Sequence, residues 1–171
     1  MAVSIDGAGP LAGATTLNGL TIPTTGFGKV LQIVRATDTT DRSTTSTSFV
    51  DVTGMSVTIT PQKSTSAILL VSAFGVAFAS NAGRNCFGYL QITDSSNTGI
   101  SGASSRQVGT NDFSYPLAGS TIDAVTLIAY ATPATTSAVT YKLRMKAGAT
   151  LAMNVQNGDG AGQMYAIEVS A

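Results

Sequence analysis

Apolar and polar residues alternate along several stretches of this chain, and a period of two is typical of strands with one buried face. The clearest short example is residues 55–60, MSVTIT, where Met, Val and Ile alternate with Ser and Thr. Pro61 has no N–H to donate to a neighbouring strand, so it predicts the end of this strand. Residues 49–53 repeat the alternation, and Gly54 allows a tight reversal between the two segments. We therefore expect a β-hairpin over residues 49–60.

The longest apolar stretch, residues 66–80, predicts a strand that is apolar on both of its faces. One face carries the bulkier side chains, which are Ile68, Leu70, Phe74, Val76 and Phe78. The other face carries Leu69, Val71, Ala73 and Ala77. Because a two-sided apolar strand lies either inside a sandwich or at a subunit interface, the second set supplies candidate residues for packing between subunits.

Further alternating stretches fill the rest of the chain, with turn-forming residues between them. Strands are expected over 29–36, 85–93, 121–131, 138–147 and 164–171, with shorter ones near 104–108 and 151–155. The Ser-, Thr- and Gly-rich segments between strands are expected to be loops, the longest being 37–48 and 94–116, while the glycine-rich residues 157–162 are expected to form a hairpin connection. Eight to ten strands at regular spacing predict an all-β, antiparallel β-sandwich of jelly-roll-like form over residues 29–171.

The N-terminal segment, residues 1–28, has a different character from the rest of the chain. It is rich in Gly, Thr and Pro, and its apolar residues are widely spaced with no helical or strand period. Such a segment cannot build a core of its own, so it is either a free terminus or an extended arm. Because spaced apolar residues would be wasted on a free terminus, we expect an arm that lies against its own trimer or against another protein. The candidate docking residues are Ile5, Leu11, Leu17, Leu20, Ile22 and Phe27.

Composition supports the all-β assignment and removes several classes of partner. The chain has 25 Thr and 18 Ser but a single Glu, so strong helix formers are scarce. Charged residues make up 11% and the net charge is zero, which offers no basic surface for nucleic acid and none for a membrane. The single cysteine, Cys86, has no partner for a disulfide or metal site and fits assembly in a reducing cytosol. The opening residues lack the pattern of a secretory signal.

No set of residues in the sequence forms a convincing catalytic centre. The chain has no histidine, which excludes a Ser-His-Asp triad, and most of its aspartates lie in segments where Asp favours turns. The glycine-rich segment lacks the lysine and following helix of a phosphate loop, and Asp38 and Asp41 are too sparse for a calcium loop. We therefore expect a protein that is not an enzyme and that binds no cofactor or metal.

Two strand faces could bind a ligand, although a structural role explains each of them better. Lys142, Arg144 and Lys146 alternate with apolar residues, so they form either an anion-binding stripe or a solvated sheet face. Phe87 and Tyr89 share a strand face that could stack on a sugar ring or pack within the sheet.

The order of several segments resembles a module of tailed-bacteriophage virion proteins, particularly those of aquatic phages. These segments are KVLQIV from Lys29, STTSTSFVDVTGMSVTITPQKSTSAILLVSAFG, SAVTYKLRMKA and the closing AIEVSA, and together they span about residues 29–171. The opening MAVSIDGAGPLAG is similar to the short segments that precede the module in such proteins. The resemblance implies a non-enzymatic, typically trimeric β-sandwich on the virion exterior, with Leu69, Val71, Ala73 and Ala77 as candidate trimer contacts.

The resemblance and the residues together lead to one main hypothesis and two alternatives. Only 28 residues precede the module, whereas fibre proteins place it after a long shaft, so we expect a homotrimeric capsid decoration or cement protein. Its arm would dock on the major capsid protein or on tail proteins, after assembly in the host cytoplasm. The first alternative is a short tail fibre or head fibre tip that recognises a host-surface glycan through residues 37–48 and 94–116. The second is a lectin-like module encoded by a prophage or a host.

Overall fold

The fold was analysed in a computed structural model of the chain, in which every regular element of the described residues is a β-strand. The described residues are 16–17, 20–21, 29–78, 86–110, 122–148, 151–158 and 160–170. The expected all-β class is therefore confirmed.

Twelve strands are formed by the described residues. They are β1 (Thr16–Leu17), β2 (Leu20–Thr21), β3 (Val30–Asp38), β4 (Arg42–Thr44), β5 (Val50–Ile59), β6 (Ala67–Phe78), β7 (Cys86–Asp94), β8 (Arg106–Thr110), β9 (Ile122–Ala131), β10 (Val139–Ala147), β11 (Met153–Gln156) and β12 (Gly162–Val169).

The ten strands from β3 onward occupy eight positions in two antiparallel sheets. One sheet has the order β5-β10-β7-β8. In the other, β9 pairs with one edge of β6, while β12 and then β11 pair with successive parts of its opposite edge. Beyond them, β3 pairs with β12 and β4 with β11, so these four segments act as two strands that are each split in two.

This strand order is that of a jelly roll. When the eight positions are numbered in chain order, the split strand β3/β4 is the first and the split strand β11/β12 is the eighth. The antiparallel pairs are then first with eighth, second with seventh, third with sixth, and fourth with fifth. A long hairpin rolled into two packed sheets gives this set of pairs. The antiparallel sandwich of jelly-roll-like form that the alternation predicts is confirmed.

The core lies between the two sheets and is lined by the apolar sides of the alternating strands. In β6 the even-numbered residues from Ile68 to Phe78 are buried, whereas Leu69, Val71 and Ala73 are partly exposed on the other side. In β10 Tyr141, Leu143 and Met145 are buried, and the intervening cationic residues face outward. The assignment of faces made from the sequence is confirmed for both strands.

The hairpin expected over residues 49–60 is wrong, because β5 is one strand with a large bulge. Residues on both sides of the bulge pair with β10, and four residues of β5, 52–55, lie opposite the single residue Leu143. Gly54 adopts a φ of 93°, and a Cβ there would lie 2.6 Å from the Asp38 carboxyl carbon. The glycine therefore serves a bulge that turns both Val52 and Met55 into the core.

The hairpin connection expected for the glycine-rich residues 157–162 is also wrong, because the strands on either side of this segment do not pair with each other. Gln156 pairs with Gly75 and Gln163 pairs with Ala73, so β11 and β12 run in the same direction along one edge of β6. Of the residues between them, 157, 158, 160 and 161 belong to no strand. The neighbouring strand breaks at the same level, since β3 ends at Asp38 and β4 begins at Arg42, which also corrects the loop expected over 37–48.

An aspartate stabilises this double break. Asp41 Oδ1 accepts hydrogen bonds from the backbone N–H of Asn157 at 2.8 Å and of Gly158 at 2.7 Å. Asn157 Nδ2 donates to Asp38 Oδ2 at 3.2 Å. The two aspartates weighed as calcium ligands thus satisfy donors of the protein itself, and the described residues contain no group of three or more potential acidic or sulfur metal ligands.

Candidate interaction surface

The outer face of the sheet formed by β3, β12, β6 and β9 exposes large apolar side chains. Ile33, Ile128, Tyr130 and Val30 are exposed by 60%, 57%, 55% and 50%, respectively. These residues come from the two edge strands, and side chains of β6 and β12 lie between them. We call this side of the sheet the apolar face.

Strand register arranges the apolar face in rows that cross all four strands. One row runs directly across the sheet through Tyr130, Leu69, Ile167 and Ile33. The next row runs through Ile128, Val71, Tyr165 and Arg35. Cross-strand neighbours in a row have their Cβ atoms roughly 5 Å apart, so the side chains form a continuous surface.

Polar residues border the apolar face on one side, and the root of the arm borders it on the other. The row beyond Arg35 consists of Thr126, Ala73, Gln163 and Thr37. At the opposite border, Val30 pairs with Val169 immediately after Lys29. At about 4.8 Å per strand and 7 Å per row, the apolar area covers a few hundred Å², about the size of the largest apolar patch on a typical monomer, which is often functional.

Charge is nearly absent from this surface. Its two central rows contain a single ionisable side chain that is charged at neutral pH, Arg35, whose guanidinium lies 5.7 Å from the centroid of the Tyr165 ring. A second copy of the same face would therefore meet little electrostatic repulsion. Burying the exposed part of each large apolar side chain would contribute roughly 1 kcal/mol.

The four residues expected to pack between subunits do not share one position on this surface. Leu69 and Val71 lie at the centre of the apolar face, and Ala73 lies at its polar border. Ala77 is fully buried within the chain. Residues such as Ile33 and Ile128 were missed because their position beside β6 depends on pairings between segments far apart in sequence.

The expected docking residues of the arm lie mostly outside the described residues. Four of them are not among the described residues, namely Ile5, Leu11, Ile22 and Phe27. Leu17 and Leu20 are partners in the short antiparallel pair of β1 and β2.

The outer face of the other sheet is polar and its charges are largely paired. Asp51 accepts a hydrogen bond from Lys142 Nζ at 2.8 Å and another from Arg144 Nε at 2.7 Å. The Lys142 hydrogen bond, opposed by burial and supported by Arg144, holds the pKa of Asp51 below its usual value. Lys146 Nζ lies 4.9 Å from the centroid of the Phe49 ring and 4.7 Å from that of Tyr89. These contacts favour a solvated sheet face over an anion-binding stripe.

The two loops proposed to form a receptor-binding tip lie at opposite ends of the sandwich. Residues 45–48 adjoin the end of β10, where the Ala147 N–H donates to Ser46 O at 2.8 Å. The loop after β7 lies at the other end, where the Tyr130 N–H donates to Ser101 O at 3.0 Å. This second end also holds the root of the arm, because Val30 and Val169 pair there. The described parts of the two loops therefore do not converge on one site.

No family model matches the sequence, and no curated protein shows significant similarity to it. Within the part of the chain that the structure describes, no helix is long and apolar enough to cross a bilayer.

Proposed function

We propose that this chain is a non-enzymatic structural protein of a tailed-phage virion, which assembles as a homotrimer through its apolar face. The observation that carries the proposal is the pair of apolar rows across β3, β12, β6 and β9. In a solvated monomer, side chains such as Ile33 and Ile128 would remain more than half exposed. A second copy is the occupant that the neutral surface favours, because it would meet little electrostatic repulsion. The threefold arrangement rests on the resemblance to virion modules, since the same face packed on itself about a twofold axis would give a dimer.

The role on the virion rests on the arm and on the resemblance to virion modules. Residues 1–28 join the body at Lys29, directly beside the apolar face, so trimerisation would bring three arms together. Three weakly binding arms would give avidity that one arm lacks. We propose that the arms dock on other virion proteins, and that the trimer serves as a capsid decoration or cement protein on the virion exterior.

Deletion of residues 1–28 tests this division of roles between arm and body. The truncated protein is expected to remain a folded trimer by circular dichroism and light scattering, but to lose binding to purified virions that lack the protein. The matched control is full-length Ile128→Lys, which keeps the arm and places a charge on the apolar face. It is expected to be monomeric and to bind virions more weakly through a single arm.

Each of the two variants has an outcome that would contradict a separate part of the proposal. Virion binding that survives the deletion would show that the arm is not the anchor. A full-length protein that is monomeric, or a trimer that Ile128→Lys leaves unchanged, would show that the apolar face is not the subunit contact.

A further inference from the structure

A cavity of about 390 Å³, which is widely open to solvent, lies at the end of the sandwich that holds the arm root. It is formed by the loop after β7, the last residues of β9, the connection from β9 to β10 and the first residues of β10. Its volume falls within the range of about 300–1,000 Å³ that is usual for small-molecule sites. The apolar face is a different surface, although Tyr130 belongs to that face and also lines the cavity.

Hydroxyl groups dominate the chemistry of this cavity. Its lining contains six residues with hydroxyl side chains, which are Ser95, Ser101, Tyr130, Thr132, Thr140 and Tyr141. The Thr140 hydroxyl is hydrogen-bonded to that of Thr58 at 2.8 Å, which leaves five for a ligand. A hydroxyl both donates and accepts hydrogen bonds, so such a lining suits a ligand that is itself rich in hydroxyls. Ile100 and Pro133 add apolar surface that the C–H groups of a sugar ring can contact.

One carboxylate determines the charge that the cavity accepts. Among the described residues that line the cavity, Asp94 alone is charged at neutral pH. Its Oδ1 atom accepts the backbone N–H groups of Ser96 and Thr98, each at 2.9 Å, which fixes the orientation of the carboxylate. Within the described residues no hydrogen bond reaches Oδ2. A carboxylate only accepts hydrogen bonds, so it favours ligands with O–H or N–H donors and disfavours phosphate, sulfate and acidic sugars.

The two loops that contribute lining residues each contain an unusual backbone conformation outside the lining itself. Asn97, in the loop after β7, has a φ of 69°, and Ala134, in the connection from β9 to β10, has a φ of 53°. Residues other than glycine adopt such angles at a cost, and they persist where surrounding contacts fix them. Asp94 pairs with Tyr141 across strands β7 and β10. Burial and then the negative charge of Asp94 raise the pKa of this tyrosine.

We propose that this cavity is a binding site for a neutral saccharide. The inference does not depend on the virion role, and the cavity shares one lining residue, Tyr130, with the rows of the apolar face. It also differs from a receptor tip at the end distal to the arm, because the cavity lies at the arm end.

Saturation-transfer NMR on the full-length protein tests the proposal, with glucose, galactose, N-acetylglucosamine and N-acetylneuraminic acid as probes. At least one of the three neutral sugars is expected to bind with a Kd on the order of 1 mM, and the acidic sugar is expected not to bind. Asp94→Asn keeps an oxygen for the Ser96 and Thr98 amides but removes the charge, and it is expected to weaken binding at least about tenfold. Asp123→Asn, an exposed carboxylate of β9, is the control and is expected to bind like wild type.

A second variant keeps the test decisive if Asp94→Asn disturbs the loop. Ala138→Trp places a large side chain at an exposed lining residue and is expected to abolish sugar binding without loss of thermal stability. Immobilised bacterial surface polysaccharide, run in parallel, separates a polymeric host glycan from a free sugar as the source. The proposal is overturned if no neutral sugar binds, if the acidic sugar binds equally well, or if Ala138→Trp leaves binding unchanged.

Discussion

Glu168 is a carboxylate that is completely buried in the sandwich, and its replacement by Gln tests how the end of the core is stabilised. Its Oε2 atom accepts a hydrogen bond from Gln32 Nε2 at 2.6 Å. Its Oε1 atom accepts the backbone N–H of Gln62 at 2.8 Å and that of Lys63 at 3.3 Å. Burial raises the pKa of Glu168, but these hydrogen bonds outweigh it and hold the pKa below its ordinary value.

The structure sets the expected cost of Glu168→Gln. The glutamine keeps one oxygen for the two backbone amides, but its NH₂ group then faces the NH₂ group of Gln32. Rotating the Gln32 amide does not relieve this contact, because Gln32 Nε2 also donates to Thr60 O at 2.7 Å. One hydrogen bond to a charged group is lost, at about 1.5–3 kcal/mol, and two donors face each other. We expect the free energy of unfolding to fall by about 2–3 kcal/mol. This range already includes a partial offset, because the neutral glutamine buries no charge.

Thermal unfolding followed by circular dichroism measures this effect. For a chain of 171 residues the melting temperature is expected to fall by roughly 4–12 °C at pH 7. The matched control, Asp123→Asn, removes one exposed carboxylate and is expected to change the stability by less than about 0.5 kcal/mol. Both variants must be compared with wild type at one protein concentration, because association also raises the melting temperature.

The pH dependence gives a second readout with a defined sign. Because the folded-state pKa of Glu168 lies below its ordinary value of 4.5, its stabilisation is present above about pH 4.5 and is lost as the pH falls through the folded-state pKa. The difference in the free energy of unfolding between wild type and Glu168→Gln should therefore reach its full value at pH 7 and become smaller in acid. Equal stability of the two proteins at pH 7, or a difference that grows in acid, would refute this account of the buried carboxylate.

Three further substitutions test the core, the bulge in β5 and the double break that Asp41 stabilises. Leu70→Ala removes a fully buried side chain of β6 and is expected to cost about 2–5 kcal/mol in chemical denaturation. Gly54→Ala is expected to lower the free energy of unfolding by about 1–3 kcal/mol, because the φ of Gly54 is 93° and the new Cβ would meet Asp38. The control is Gly160→Ala, which should leave stability nearly unchanged because no atom lies within 4 Å of the new Cβ. Asp41→Ala is expected to cost about 1–3 kcal/mol through two lost hydrogen bonds, and hydrogen exchange of the two loop amides should accelerate.

Periodicity predicted the fold class and the faces of the strands because those depend on residues close together in sequence. The alternation in β6 and β10 identifies the buried side of each strand without reference to any other strand. The same signals could not separate a turn from a bulge at Gly54, since a glycine with positive φ serves either one. The deciding fact is that both halves of β5 pair with β10, and that partner lies about 90 residues away.

The candidate interaction surface was only partly predictable for the same reason. The small outward residues of β6 suggested a subunit contact, and Leu69 and Val71 do lie within the apolar face. The larger side chains beside them, Ile33 and Ile128, come from strands whose register is set by pairings across the sheet. The glycine-rich segment misled in a similar way, because turn residues at a strand end do not reveal whether the next strand reverses or continues.

The solution mass of the full-length protein, measured by light scattering, tests the central claim that the apolar face joins subunits. The account predicts the mass of three chains for wild type and of one chain for Ile128→Lys, with circular dichroism unchanged. The control Gln107→Lys adds the same charge at an exposed residue of β8 in the other sheet and is expected to remain trimeric. A monomeric wild type, or a trimer that persists in Ile128→Lys, would contradict the account.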